Sequence, residues 1–384
     1  MHFFDDKYMF SINFFSKRHD FRLFFVFLHG MNSQKLSITF IVNPISGTHK
    51  KDHLPELIGQ VLDHDKFDDR IVFTEYAGHA TQIARECMER HDDICCAVGG
   101  DGTVNEVARA LVHSETALAI VPSGSGNGLA RHLCLPMNAK QAIETINQAR
   151  IERLDFGIIN NLPFFCTCGM GFDAFISMKF AESGKRGPIT YVENVLKEGL
   201  KYKPETYTID IDPEEDGSQA KTPARYKAFL IACANAAQYG NNAYIAPGAS
   251  MQDGLMDVII MEPFNALDAP TIAYDMFSKT LNQNSKIKTF KARRIHIHRN
   301  EPGAIHYDGD PIITGTDIDV CMQPLGFKAV VNPEIIEDNA QPNAMLGAFS
   351  DLFNNINNVR EDIVRGSRRI HVINKLMLRR LSRL

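Results

Sequence analysis

The sequence predicts a two-part α/β protein. An α/β domain built on a parallel sheet with helices on both faces is followed by a β-rich, sandwich- or barrel-like second domain. Three observations carry this. Strand and helix patterns alternate from residue 36 to residue 150. Three of the strands in that stretch end in glycine-containing breaks. From residue 151 onward, short apolar stretches separated by turn residues replace the alternation. With 384 residues, 44% of them apolar, the chain is long enough for two packed cores.

Residues 1–34 are expected outside the fold. Residues 21–28 are apolar and flanked by Lys17, Arg18 and Arg22. That run is too short to span a bilayer, and no small-residue cleavage site follows it. Met31 stands just before the first convincing strand and is read as the translation start. The rival reading is an N-terminal segment that touches a membrane.

Residues 36–42 read as a short buried strand, broken by Asn43-Pro44-Ile45-Ser46-Gly47. A helix over 53–63, a strand over 70–74 and a helix over 79–90 follow. The third strand, 94–98, ends in Gly99-Gly100-Asp101-Gly102. Residues 103–112 are helical, with Val104, Val107, Ala108, Leu111 and Val112 on one face. The fourth strand, 118–121, ends in Pro122-Ser123-Gly124-Ser125-Gly126-Asn127-Gly128. A short helix and a further helix over 139–149 close the first domain. In such sheets ligands bind beyond the carboxyl ends of the strands, and all three breaks fall at that edge.

Strands are expected next at 153–159, 164–168, 207–211, 226–232, 256–261, 294–298 and 318–322. One helical interruption is expected at 188–201 and a polar loop at 213–222. The domain bounds are then 35–150 and 151–325, with a return segment over 326–343. The tail, 344–384, is basic and amphipathic, carrying Arg365, Arg368, Arg369, Lys375, Arg379 and Arg380. Such a helix lies on an anionic membrane surface or packs on the body or on a second copy in a homodimer.

The net charge of −5 argues against a nucleic-acid partner. Eight cysteines without a C-x-x-C pair read as reduced thiols of a cytoplasmic protein. His296 and His298 alternate on one strand, with no carboxylate or cysteine set near them in sequence, and read as an exposed face.

Chemistry concentrates in the breaks. Glycines let backbone N–H groups approach phosphate oxygens, and the helix that follows aims its positive end at the same place. A carboxylate repels phosphate, so Asp101 fits there if it holds Mg²⁺ or activates an attacking hydroxyl. The plain alternative is a tight turn with an incidental acid. The second glycine run adds Ser125 as a phosphate donor and Asn127 as a tie between loops. Asn43 and Gly47 supply a third wall. Neither a Walker A loop nor a G-x-G-x-x-G fingerprint is present.

Asn43-Pro44-x-Ser46-Gly47, Gly99-Gly100-Asp101-Gly102-Thr103 and Pro122-Ser123-Gly124-Ser125-Gly126-Asn127 together resemble the nucleotide-site motifs of the diacylglycerol kinase catalytic-domain family. The resemblance continues through Asn235, Tyr239-Gly240, Ala246-Pro247-x-Ala249, Asp253-Gly254-x-Met256-Asp257 and Asp308-Gly309-Asp310. It implies an ATP- and Mg²⁺-dependent lipid kinase with its active site between an ATP domain and a lipid domain. It implies ATP contacts at Asn43, Ser46, Gly47, Thr74, Val98 to Val104 (Val98, Gly99, Gly100, Asp101, Gly102, Thr103, Val104), Glu106, Ser123, Gly124, Ser125 and Asn127. It implies a magnesium site at Asp253 with backbone oxygens near Ser250 and Leu255, and Asp101 as a further metal ligand. The general base falls at Asp310, where the family has glutamate, with Asp308 and Asp101 as alternatives. A hairpin turn is the plain reading of Asp308-Gly309.

Diacylglycerol is the expected acceptor, a sphingoid base or ceramide the alternative. The expected setting is cytoplasmic, in peripheral contact with the inner face of the membrane. Phe164, Phe165, Phe172, Phe175 and Phe180 either line an acyl channel or form the second core, the latter being preferred. Two rivals are an NAD kinase, which shares Gly-Gly-Asp-Gly, and an inactive nucleotide-binding regulatory protein.

Overall fold

A computed structural model describes residues 35–47, 51, 53–183, 202–212, 223–265 and 268–332. The expected N-terminal extension, the helix at 188–201, the loop at 213–222 and the basic tail lie outside the described residues.

The first half is an alternating α/β layer. Strand β1 (Leu36–Val42) is followed by α1 (Leu54–Val61), β2 (Phe67–Phe73), α2 (His79–Glu89), β3 (Ile94–Gly99), α3 (Asp101–Leu111), β4 (Ala117–Pro122), α4 (Gly128–His132) and α5 (Ala139–Ile146). The four strands are parallel in the order β2-β1-β3-β4. Side chains alternate across a strand, so each strand feeds two cores. Ile38, Phe40, Val42, Ile94, Cys96 and Val98 pack with α1 and α5 on one face. Ile41, Cys95, Ala97, Leu118 and Ile120 pack with α2 and α3 on the other.

The second half contributes β5 (Ile151–Ile159), β6 (Leu162–Phe164), β7 (Thr167–Gly171), α6 (Phe172–Ser183), β8 (Glu205–Ile211), β9 (Ala224–Ala228), β10 (Leu230–Ala234), β11 (Met256–Met261), α7 (Ala269–Phe277), β12 (Ile287–Ala292), β13 (Arg294–Arg299), β14 (Gly303–Tyr307), β15 (Asp310–Thr314) and β16 (Asp317–Val330). Its second sheet runs β12-β11-β10-β7-β14-β15. That sheet faces β5, β6, β8, β13 and β16 across a core holding Phe164, Met170, Tyr207, Val258, Ile295 and Ile318.

Several expectations are corrected. The stretch 226–232 is two strands, because the chain changes sheets at Phe229, whose N–H donates to the Met261 carbonyl (2.7 Å). The stretch 164–168 divides likewise at Phe165 and Cys166. Helix α6 was not anticipated, since apolar residues occur around its whole circumference and hide the period. Phe164 and Phe165 are fully enclosed core residues and line no channel. Phe172 and Phe175 instead join Tyr202 and Phe229 in an aromatic cluster on the outer face of the second sheet.

Strand β16 is far longer than the expected 318–322. It pairs with β13, with β5 along its length, and at Ala329 with β4. The boundary placed at residue 325 therefore falls inside a strand, and one continuous ten-stranded sheet runs through both halves. A bulge between Gln323 and Phe327 bends that strand. Asp155 holds the bend: it is fully buried and accepts the N–H groups of Leu325 and Gly254, both at 2.7 Å.

All eight cysteines are free thiols. His296 and His298 do have carboxylates beside them, contributed by the neighbouring strand: Nδ1 of each lies 2.9 and 2.8 Å from Asp319 and Asp317 respectively.

Candidate active site

The carboxyl ends of β1, β3 and β4 bring three loops together. Asn43 begins the first. Its N–H donates to the Val98 carbonyl (3.0 Å) and its Nδ2 to Thr103 Oγ1 (2.9 Å). Its carbonyl accepts from Ser46 Oγ (3.1 Å) and Lys51 Nζ (2.8 Å). Lys51 also meets Ser46 Oγ and the Val98 carbonyl. The lysine is 5% exposed, and burial pulls its ammonium down to about 8. Sequence reasoning passed over Lys51; the one signal was a lysine pair just beyond a glycine loop.

Gly47 has φ +76°, and a Cβ there would lie 2.2 Å from the Ser123 carbonyl oxygen. Gly124 packs on Gly100 so closely that a Cβ would sit 2.5 Å from the Gly100 Cα. The loops thus touch backbone to backbone, which glycine alone permits.

Asp101, at the start of α3, closes the arrangement. Its Oδ2 accepts from the Asn127 N–H (2.8 Å) and its Oδ1 from the Gly128 N–H (2.7 Å). Asn127 does not tie one loop to another, as expected of it. Its side chain closes its own loop on the Gly124 carbonyl and N–H (2.8 and 3.0 Å), and the tie is made by Asp101.

The other expected nucleotide contacts sort by exposure. Ser125 is exposed and Ser123 half-buried at the loop rim. Thr74 is at the end of β2, its N–H bonded to the Val42 carbonyl (2.9 Å). Val98 and Val104 turn their side chains into the core, so only their backbones face the loops. Glu106 faces away, accepting the Gly78 N–H (3.0 Å) before α2.

The second half meets these loops from across a cleft. Asp308 and Gly309, at φ +52° and +85°, form the two-residue turn between β14 and β15. The Asp308 carboxylate accepts N–H groups from Phe165 (2.8 Å), Cys166 (2.7 Å) and Thr167 (3.1 Å). It is wholly enclosed, and burial pushes its carboxyl up despite the Arg109 guanidinium and those three donors. Asp310 is half exposed, at 51%. Its Oδ2 pairs with Arg109 Nη1 from α3 at 2.7 Å. Cys166 stands between the halves: burial first, then the charges of Asp308 and Asp101, push its thiol up.

Two further contacts brace the cleft. His306 Nε2 lies 3.0 Å from Asp173 Oδ2, which also accepts from the Tyr239 hydroxyl (3.3 Å). His132 Nδ1 accepts the Ala237 N–H (3.1 Å), and burial pulls this imidazole down to about 4. Asp155, His306 and His132 all escaped sequence reasoning, because their partners are distant in the chain.

The residues expected to hold magnesium lie at the turn before β11. Asp253 Oδ1 accepts the Leu255 N–H (3.1 Å), and its Oδ2 pairs with Lys291 Nζ (2.8 Å), which also reaches Asp257 (3.1 Å). Ser250 Oγ accepts the Gln252 N–H (3.3 Å). This turn leads into β11, which β10 and β7 separate from β14. Among the described residues no cluster of three His, Cys, Asp or Glu side chains is suited to a metal.

Comparison with known proteins gives two family matches in tandem. Residues 37–159 match the diacylglycerol kinase catalytic domain. Residues 167–324 match the YegS C-terminal NAD kinase beta sandwich-like domain. Among curated proteins, a diacylglycerol kinase of Bacillus subtilis is 27% identical over 277 residues, covering 70% of this chain and 88% of its own. An uncharacterized protein of Synechocystis is 27% identical over 304 residues, covering 74% of this chain and 67% of its own. Among solved structures, a diacylglycerol kinase from Bacillus anthracis aligns with a TM-score of 0.60 at 21% identity, over 78% of this chain and 98% of its own. That likeness is one of fold.

Proposed function

Because the chain belongs to the diacylglycerol kinase catalytic-domain family and is a phosphotransferase, we propose that it transfers the γ-phosphoryl group of ATP to the hydroxyl of a membrane lipid, diacylglycerol in the first instance. The observation that carries this reading is the meeting of two backbone-packed glycine loops, anchored by Asp101, with a half-exposed carboxylate, Asp310, that starts β15 and pairs with Arg109 of the helix leaving those loops.

The glycine loops and the start of α3 present N–H groups to the β- and γ-phosphates, and Lys51 adds positive charge behind them. The lipid oxygen attacks the γ-phosphorus in line. The new O–P bond forms as the bond to the β–γ bridging oxygen breaks, and ADP leaves. The hydroxyl proton passes to Asp310. Asp101 and Asp308 already accept N–H groups on both oxygens, whereas Asp310 Oδ1 has no hydrogen-bond partner among the described residues. Magnesium is in this proposal the counter-ion of the ATP phosphates.

Among the described residues no helix is long and apolar enough to cross a membrane. The protein would meet its lipid from the membrane surface, aided by the basic residues of 344–384.

The test offers labelled ATP with mixed micelles of diacylglycerol, sphingosine, ceramide or undecaprenol, and NAD in parallel. Label in phosphatidic acid, lost in Asp310→Asn, supports the reading. Label in another lipid keeps the lipid kinase and replaces the acceptor. Label in NAD alone overturns it, and binding of ATP without transfer supports an inactive nucleotide-binding protein.

A further inference from the structure

The carboxylate proposed as base is gripped by a side chain from the opposite half of the molecule. Arg109 lies in the last turn of α3, the helix that begins at Asp101 between the glycine loops. Its Nη1 donates to Asp310 Oδ2 (2.7 Å), its Nη2 to the Tyr307 carbonyl (3.3 Å) and its Nε to the Pro163 carbonyl (3.3 Å). Nη2 also lies 4.0 Å from Asp308 Oδ2, and the guanidinium carbon rests 4.4 Å from the centre of the Tyr307 ring.

Three acceptors on β6, β14 and β15 and an aromatic face thus fix the planar fork in one orientation. Arg109 is 21% exposed, Asp310 51%. The guanidinium is therefore the anchored partner, and the aspartate takes its place from it. Only Oδ2 is held among the described residues, which leaves Oδ1 without a hydrogen-bond partner there.

Resting on the reading of Asp310 as the base, we propose that Arg109 is a positioning residue. It fixes the rotamer of Asp310, and by spanning α3 and the β14–β15 turn it sets the base at a constant distance from the phosphate loops. Other charged or titratable groups near that turn are Asp308 on the turn itself, Cys166 beside it, His306 on β14 and Asp173 on α6. None of these makes a hydrogen bond to Asp310 among the described residues. Among the described residues Arg109 alone supplies the orientation.

The test compares wild type, Arg109→Gln, Arg109→Lys, Asp310→Asn and the Arg109→Gln/Asp310→Asn double variant in lipid phosphorylation. Thermal unfolding runs beside it. Arg109→Gln should lower kcat roughly 10- to 100-fold, the range a misplaced group costs, while KM for ATP stays within about twofold. Arg109→Lys keeps charge and stem, so it guards against misfolding. It should recover less than about a third of the lost kcat, since an ammonium lacks the fork. In the Asp310→Asn background the second substitution should cost little more, because both act through one group. A wild-type kcat in Arg109→Gln, full recovery in Arg109→Lys, or additive losses in the double variant would each overturn the inference. No transfer by the wild type to any lipid overturns the lipid-kinase reading instead, a result visible before any variant is compared.

Discussion

Three aspartates of the cleft differ in what their oxygens already hold, and this separates their roles. Asp308 holds three buried N–H groups, Asp101 holds two, and Asp310 shares one oxygen with Arg109. Asp310→Asn should therefore lower kcat by roughly 10²- to 10⁴-fold, the usual worth of a general base. Its stability should change by less than about 1 kcal/mol, since Asp310 is half exposed and Arg109 keeps the Pro163 and Tyr307 carbonyls as acceptors. Asp308→Asn should behave oppositely. An amide nitrogen would face an N–H donor, and loss of stability should reach about 1–3 kcal/mol in denaturant unfolding. Equal stability of the two variants would contradict this division. All three aspartates were named from the sequence, Asp101 from its glycine-rich break and Asp308 and Asp310 through the family resemblance. Their ranking was not, since the groups that occupy them come from residues 127–128, 165–167 and 109.

Among elements, the packed loops and the bent strand carry the most consequence. Gly124→Ala would place a methyl 2.5 Å from the Gly100 Cα, so the two loops must separate. ATP affinity should fall at least about tenfold by calorimetric titration, a change of about 1.4 kcal/mol. An unchanged affinity would mean that the loops are not the phosphate site. Asp155→Ala would leave the buried N–H of Gly254 and the N–H of the more exposed Leu325 without partners. At about 1–3 kcal/mol for the buried group, stability should drop by at least about 1 kcal/mol. The first-half elements were readable because alternating cores impose a period on them. The second half was harder: Phe229 and Phe165 are sheet changes inside apolar runs, and no local pattern marks where an apolar run changes partners. Asp155 reads as an ordinary strand residue until residues 254 and 325 are brought to it.

The whole molecule is joined by one strand and one helix. Strand β16 belongs to both halves, and α3 runs from the glycine loops to the Arg109–Asp310 pair, so the described body should unfold in a single calorimetric transition. His132 gives that transition a pH dependence. It links α4 of the first half to the Ala237 backbone of the second, and its imidazole is held neutral, down to about 4 from an ordinary 6.5. Between these values the unfolded chain binds a proton that the folded chain refuses. Stability contributed by neutral His132 is thus complete above pH 6.5 and is lost as the pH falls toward 4. The transition temperature should decline through that window in the wild type. In His132→Gln, whose amide oxygen still accepts from Ala237 but does not titrate, the decline should be shallower. Parallel pH curves for the two proteins would place the acid sensitivity elsewhere. Two separate transitions would show that β16 and α3 do not bind the halves into one cooperative unit.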